Sequence, residues 1–496
     1  MQSVIEYLEK AATLFSDKTA LSDGINSLTY RELSVKAKKI AELLLREGYQ
    51  KSPVMVMAEQ NTDTLVYFFG VLYSGNYYIP TDPEMPIEKM QSVYDDSKPF
   101  AILGKLSENL QISDCKVFDV SDAENVEITT EFPIKSDGTL PCYMVYTSGS
   151  TGKPKGVLKS HEAVCSFAEA YTETFDFTSD EIIGNQTPFF FDASAKDIYL
   201  SIKLGATLEI IPRTKFAMPT DLIAYLNEKK ITFISWVPTA LSIVAQLRTF
   251  SCIKPEYLRK VFFVGEVMPV KYLNYWRKNL PDIQYVNLYG QSELAGISCY
   301  FEVKGEMADS DTLPMGKPLC NCALFLCDEN GNVINEKNKI GEIYVVSPAL
   351  ALEYHNDEKK TAECFFEKDF GDGNGLVRTF KSGDLASVNE NGDLVFAARS
   401  DFQMKHLGHR IELGEIETVA GALPEIVRCA CLYNAEKQAI VLFVQAANPE
   451  ITPKQIKHIL REKLSSYMVP EKIKILEKLP INKNGKIHRQ QLKEML

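Results

Sequence analysis

Between Ser27 and Lys230 the chain alternates stretches of helical period with short β-rich runs, and this restricts its possible architectures more than any other feature. LTYRELSVKAKKIAELLLREGY carries apolar residues at helical spacing, PVMVMAE reads as a strand, and NTDTLVYFFGVLYSGNYYIP reads as a helix leading to a turn. Such alternation predicts a parallel α/β sheet. It continues through ITFISWVP, KVFFVGE and IQYVNLYG, apolar runs that end in Gly or Pro where loops at the C-terminal edge of a sheet hold ligands. Farther on, ALFLCDENGNVI and IGEIYVVS read as antiparallel strands around Asn330 and Gly331, and LASVNENGDLVFAAR repeats the pattern around Asn391 and Gly392. After Arg399 the composition shifts, with its own strand and helix pattern and an excess of lysine beyond Pro453. At 496 residues, and about 150 residues per domain, more than one unit is expected: residues 1–400 as a large α/β domain with an antiparallel β-rich portion, and residues 401–496 as a small α+β domain.

YTSGSTGKPKGV, Tyr146 to Val157, follows the strand-like CYMV and is rich in glycine and hydroxyls. Glycines admit close approach of backbone N–H groups, hydroxyls donate, and Lys153 and Lys155 add charge, a combination suited to a polyphosphate. The spacing is not that of a kinase-type phosphate loop, because Pro154 stands where a helix must begin. A flexible linker is the alternative.

A formal net charge of −12 argues against nucleic acid or an anionic membrane as partner, so a bound anion must meet a local basic cluster. MQSVIEYLEKAATLF carries Glu6 and Glu9 within its apolar pattern and reads as an amphipathic helix, not a signal peptide; no stretch approaches the length of a membrane span. The 11 cysteines are scattered and fit reduced thiols, making the cytoplasm the expected compartment. The pairs Cys320/Cys322 and Cys429/Cys431 are spaced to share one face of a strand each and lack the loop spacing of a metal site.

Four further stretches occur in order: NLYGQSE at Asn287–Glu293, FKSGDL at Phe380–Leu385, ARSDFQMKHLGHRIELGEIE at Ala398–Glu417, and NKNGKIHR at Asn482–Arg489. With YTSGSTGKPKGV they resemble the adenylate-forming superfamily. SLTYREL, YYIPTDPEMP, FDASAKDIYL and LSSYMVP bring the chain nearest to nonribosomal-peptide-synthetase adenylation domains and stand-alone relatives such as D-alanine:carrier-protein ligases. The resemblance implies activation of a carboxylate with ATP and Mg²⁺, release of pyrophosphate, and transfer of the acyl group to a phosphopantetheine thiol. It implies that Thr147, Ser148, Gly149, Ser150, Thr151, Gly152, Lys153 and Lys155 form a mobile loop over the β- and γ-phosphates. Asn287, Tyr289, Gly290 and Ser292 would hold the nucleotide, with Tyr289 stacking on adenine, and Glu293 would reach Mg²⁺. Asp384 would bind the ribose hydroxyls, Arg399 the ribose and phosphate beside a hinge at Asp401. Lys486 would span the α-phosphate and the substrate carboxylate, and Gly408 would enter the site for thioester formation after the small mobile domain rotates. Taken without the resemblance, Tyr289 reads as a core aromatic, and Glu293, Arg399 and Lys486 as solvated surface residues.

In FDASAKDIYL, Asp192 matches the position that accepts the substrate ammonium in amino-acid-activating relatives; a helix-capping Asp is the alternative. The same resemblance lines the pocket with Ala193, Lys196, Ser235, Phe262, Val264, Leu288, Gly296 and Ile297. Lys196 either pairs with a side-chain carboxylate of the substrate, making glutamate or aspartate plausible, or snorkels out of an apolar pocket. Ala398, Leu288 and ALALEYHND depart from the family pattern and leave pocket size open. No HHxxxDG or LGGxS motif occurs. The expectation is therefore a free-standing enzyme that loads an amino acid on a separate carrier protein, with an acyl- or aryl-CoA ligase as the alternative and a non-catalytic nucleotide-binding protein as the remaining one.

Overall fold

The run PVMVM is apolar on both sides of its pleat, which suits a strand covered on both faces, and Pro53–Met57 lies at the centre of a parallel array. The structure is a computed structural model describing residues 3–106, 109–113, 115–132, 137–147, 154–399, 403–406, 408–434, 437–448, 450–481 and 487–496. Contacts divide the chain into two compact units. The first comprises 1–83, 97–145 and 156–400, and the second 84–96, 146–155 and 401–496.

Among the described residues one sheet has seven strands, in the order Glu353–Tyr354, Lys155–Ser160, Pro141–Thr147, Tyr77–Thr81, Pro53–Met57, Ala101–Leu103, Lys116–Phe118. The last five of these run parallel. Tyr77–Thr81 corrects the expected turn: the residues after Gly75 form a fully buried strand paired with Pro53–Met57, despite Pro80. The preceding helix, Thr62–Tyr73, is buried on every side, as expected of a helix apolar all round, and Asn61 caps it by accepting from the Thr64 N–H. The helix Tyr30–Leu45 opens with a capping box between Thr29 and Glu32. The N-terminal amphipathic helix is Val4–Leu14.

A nine-stranded sheet carries six parallel strands in the order Gln284–Tyr289, Lys260–Val264, Phe233–Trp236, Ile182–Asn185, Thr207–Ile210, Thr19–Ser22, with antiparallel strands at both edges. An antiparallel sheet follows, built from Ala323–Cys327, Gly341–Val346, Phe365–Asp369, Leu376–Val388 and Leu394–Arg399. Its turns use Gly331 and Gly392 at φ 81° and 83°, a region open to glycine at no steric cost. The expected mixed α/β class with parallel and antiparallel sheets is thus observed.

In the second unit, Ile426–Asn434, Ala439–Ala446 and Lys472–Leu476 form a mixed sheet. Ile416, Ile456 and Leu460, from helices Leu413–Gly421 and Pro453–Lys463, pack on Leu442 and Val444 of that sheet. Among the described residues no helix is long and apolar enough to cross a membrane. Cys429 and Cys431 share the strand Ile426–Asn434, but Cys320 sits in a turn before Ala323–Cys327, so Cys320 and Cys322 do not share a strand face.

Candidate active site

Parallel strands bring their C-terminal ends to one edge, and Tyr289 is the last residue of Gln284–Tyr289. Its hydroxyl donates to Asp384 Oδ2, and Gln291 Nε2 donates to the same hydroxyl at 2.8 Å. Burial, reinforced by the Asp384 charge, pushes the Tyr289 phenol well above its ordinary range, so it remains a donor. Arg399 Nη1 donates to Asp384 Oδ1, and Arg399 Nη2 to the Ser382 carbonyl at 3.3 Å. Asp384 and Arg399 are direct partners in the antiparallel register, which fixes the pair by backbone pairing. The three residues expected to hold adenine, ribose and phosphate therefore form one hydrogen-bonded chain. Asn287, two residues before Tyr289, donates to the Pro314 carbonyl at 2.8 Å.

The turn after Tyr289 is tight. A Cβ at Gly290 would stand 2.5 Å from the Gly296 carbonyl oxygen, and one at Gly296, whose φ is +84°, would stand 2.3 Å from the Phe167 ring. No side chain fits either place without displacement. Ser292 is half-buried in this turn, while Glu293 is 1% exposed and accepts from the Tyr354 hydroxyl at 2.8 Å. Mg²⁺ is commonly held through one or two carboxylates plus phosphate oxygens, and a buried carboxylate of this kind fits that donor set.

Four of the residues that the resemblance assigns to the substrate pocket share one face of the nine-stranded sheet. Ser235 pairs in register with Phe262, and Val264 with Leu288, so alternation aims all four the same way. Phe262 packs among Phe175, Phe177, Phe233 and Tyr171, and Ile297 is buried nearby in sequence to the turn glycines.

Asp192 begins a short turn, Asp192–Ser194, ahead of the helix Ala195–Leu204, with Ala193 half-buried beside it. Tyr143 donates to Asp192 Oδ1 at 2.9 Å, and the Lys159 ammonium donates to the same oxygen. Lys159 has no exposed side-chain surface; it also donates to the Leu294 carbonyl at 3.1 Å and lies 5.2 Å from the Tyr143 ring centroid. Burial draws the Lys159 ammonium below its ordinary range and raises the Asp192 carboxyl, each opposed by the charge of the other. Sequence reasoning missed Lys159. The signal was a lysine within the apolar strand run GVLKS, next to the glycine-rich loop. Tyr143, Gln291 and Tyr354 were missed as well, because a tyrosine hydroxyl or an amide inside an apolar pattern reads as core.

Lys196 does not snorkel. It is 1% exposed, and its ammonium meets the Ala193 carbonyl at 3.1 Å and the Asp197 carboxylate at 3.2 Å, while Asn185 donates to Asp197 at 3.1 Å. Of the two readings of Lys196, the outward lysine is corrected: its ammonium is buried against Asp197, its neighbour on the helix.

In the second unit, Lys155 donates to Glu412 at 3.1 Å. Gly408 turns the hairpin Gln403–His406 and His409–Glu412 with φ +81°. Thr147 ends the strand Pro141–Thr147. Ser148, Gly149, Ser150, Thr151, Gly152, Lys153, Asp401 and Lys486 lie outside the described residues.

Residues 8–355 match the model of the AMP-binding enzyme family, and residues 415–486 that of the AMP-binding enzyme C-terminal domain. The chain belongs to this family. Among curated relatives of this AMP-binding enzyme, the D-alanine–D-alanyl carrier protein ligase of Bacillus cytotoxicus is 30% identical over 508 residues, 99% of this chain and 98% of the relative. Bacitracin synthase 1 of Bacillus licheniformis is 31% identical over 99% of this chain and 9% of its own length, and tyrocidine synthase 1 of Brevibacillus parabrevis 30% identical over 99% and 45%. The chain thus spans less than half the length of these synthases. The Vibrio cholerae adenylation domain AlmE, solved with glycyl-adenosine-5′-phosphate, superposes with a TM-score of 0.85 at 21% identity, covering 99% of this chain and 97% of that one. PA1221, a nonribosomal-peptide-synthetase protein with adenylation and PCP domains, superposes with a TM-score of 0.85 at 22% identity, covering 100% and 97%. These neighbours share the fold of the AMP-binding enzyme.

Proposed function

We propose that the chain activates an amino acid with MgATP as an aminoacyl-adenylate, releases pyrophosphate, and transfers the aminoacyl group to the phosphopantetheine thiol of a separate carrier protein. The hydrogen-bonded chain Tyr289–Asp384–Arg399 carries the nucleotide half of this reading. An ionised carboxylate accepts from both ribose hydroxyls, the tyrosine ring offers a face to the base, and the guanidinium meets the phosphate side. Bound at Glu293, Mg²⁺ would neutralise phosphate charge. Lys486 would bring the substrate carboxylate to the α-phosphate, and the loop at 147–155 would close over the leaving pyrophosphate. Oriented donors and cations are what such a reaction needs, since it brings two anions together. Rotation of residues 401–496 about Asp401 would exchange Lys486 for the Gly408 hairpin before thiol attack. Asp192, at the position that the resemblance assigns to the substrate ammonium, favours an amino acid over an aryl or fatty acid, and the D-alanine ligase relative supports a carrier thiol over CoA. The cytoplasm, where ATP and holo-carriers are supplied, is the compartment this reading requires.

ATP–pyrophosphate exchange across L-, D- and β-amino acids, with aryl and fatty acids included, tests the reading. Exchange driven by an amino acid is expected; exchange driven by aryl or fatty acids alone replaces it with a CoA-ligase-type activity.

A further inference from the structure

Two buried lysines stand in the substrate-binding part of the first unit, and their charges are answered differently. Lys196 is matched by Asp197, which no substrate role requires. Lys159 is matched by Asp192, the carboxylate that the proposed function reserves for the substrate ammonium. When that ammonium arrives, two cations compete for one carboxylate. The other hydrogen-bonding groups around Lys159 are neutral, the Leu294 carbonyl at 3.1 Å and the Tyr143 hydroxyl at 3.4 Å, beside the Tyr143 ring face, while the Glu293 carboxylate acts on it only through space. A buried ammonium left with neutral acceptors is strongly disfavoured. Glu293 adjoins Leu294, but the proposed function commits its carboxylate to Mg²⁺.

A neutral amino acid, whose α-carboxylate goes to the α-phosphate in the proposed reaction, therefore brings an ammonium to Asp192 and no partner for Lys159, whereas an amino acid with a second carboxylate brings a partner for each. Its ammonium takes Asp192 and its side-chain carboxylate takes Lys159, so that one internal ion pair is exchanged for two intermolecular ones. Because Asp192 and Lys159 touch, the two substrate groups must be close, one or two carbons apart along the side chain, as in aspartate and glutamate. We propose that Lys159 is a specificity-determining residue that selects an amino dicarboxylic acid. The proposal rests on the amino-acid reading above and moves the acid-recognising charge from Lys196 to Lys159.

Calorimetric titration with unreactive aminoacyl-sulfamoyl adenosines tests it without requiring turnover. Probes carrying aspartate, glutamate, asparagine, glutamine and the hydroxy-acid analogue of aspartate separate the outcomes. The wild-type chain is expected to bind an acidic probe at least tenfold more tightly than its amide counterpart, and Lys159→Met to lose that ratio by at least tenfold. Lys196→Met is expected to keep the ratio. Amide probes binding as well as acidic ones on the wild-type chain overturn the inference and leave the amino-acid reading standing, whether or not Lys159→Met folds. A hydroxy-acid probe that matches or exceeds the aspartate probe overturns both.

Discussion

Asp384 and Arg399 face each other in register across two antiparallel strands, and the guanidinium donates to one carboxylate oxygen while Tyr289 donates to the other. Asp384→Asn keeps the shape and removes the charge that organises both partners. ATP affinity, measured by calorimetry, is expected to fall about 10- to 100-fold, the ~1.5–3 kcal/mol typical of hydrogen bonds to a charged group. Unchanged affinity at preserved fold would detach this chain of residues from nucleotide binding.

Glu293 and Tyr354 make a graded pair. Glu293→Gln should raise the Mg²⁺ concentration needed for half-maximal pyrophosphate exchange by at least tenfold, because an amide is a poor Mg²⁺ ligand. Tyr354→Phe removes only a neutral donor to that carboxylate and should cost about 1 kcal/mol, a several-fold shift. A Mg²⁺ titration in which Tyr354→Phe is the worse variant contradicts the assignment.

Glycine positions separate strain from crowding. Gly48 has φ +78° with open space around it, so Gly48→Ala should cost about 1–2 kcal/mol from backbone strain alone. Gly296→Ala adds a Cβ 2.3 Å from the buried Phe167 ring, and overpacking contributes roughly 1–3 kcal/mol more. Urea unfolding should rank Gly296→Ala clearly below Gly48→Ala; equal losses would show that the turn relaxes freely.

His161, buried at the start of helix His161–Thr174, is pushed down by burial to about 4. Its folded pKa lies below the unfolded value, so the unfolded chain binds more protons between about pH 6.5 and 4. Stability from this site is fully present above pH 6.5 and lost as pH falls through that window, by roughly 3 kcal/mol in all. His161→Gln should flatten that part of the stability–pH curve relative to wild type. Parallel curves for the two proteins would contradict the buried-neutral assignment.

Much of the fold was legible because period and turn chemistry agree along the chain, as in the helices Val4–Leu14 and Tyr30–Leu45 and the glycine turns at Gly331 and Gly392. Tyr77–Thr81 was not, because a proline inside YYIPT argues against a central strand, yet parallel pairing on both sides holds it. Tyr289, Asp384 and Arg399 were assigned to the nucleotide by resemblance, but their mutual hydrogen bonds were not legible, since Tyr289 and Asp384 lie 95 positions apart. Lysine is so commonly exposed that Lys159 and the inward course of Lys196 were hidden. Lys196 and Asp197 are also consecutive on a helix, where side chains seldom meet.

The most direct test of amino-acid adenylation is a single-turnover quench with α-labelled ATP, Mg²⁺ and the amino acid that best drives exchange, analysed for enzyme-bound aminoacyl-AMP, with Lys486→Ala alongside. The account predicts labelled aminoacyl-AMP on the wild-type chain and a loss of at least a hundredfold in its rate of formation in Lys486→Ala with nucleotide binding retained. Labelled ADP as the product, or aminoacyl-AMP formed equally fast by the variant, would contradict it.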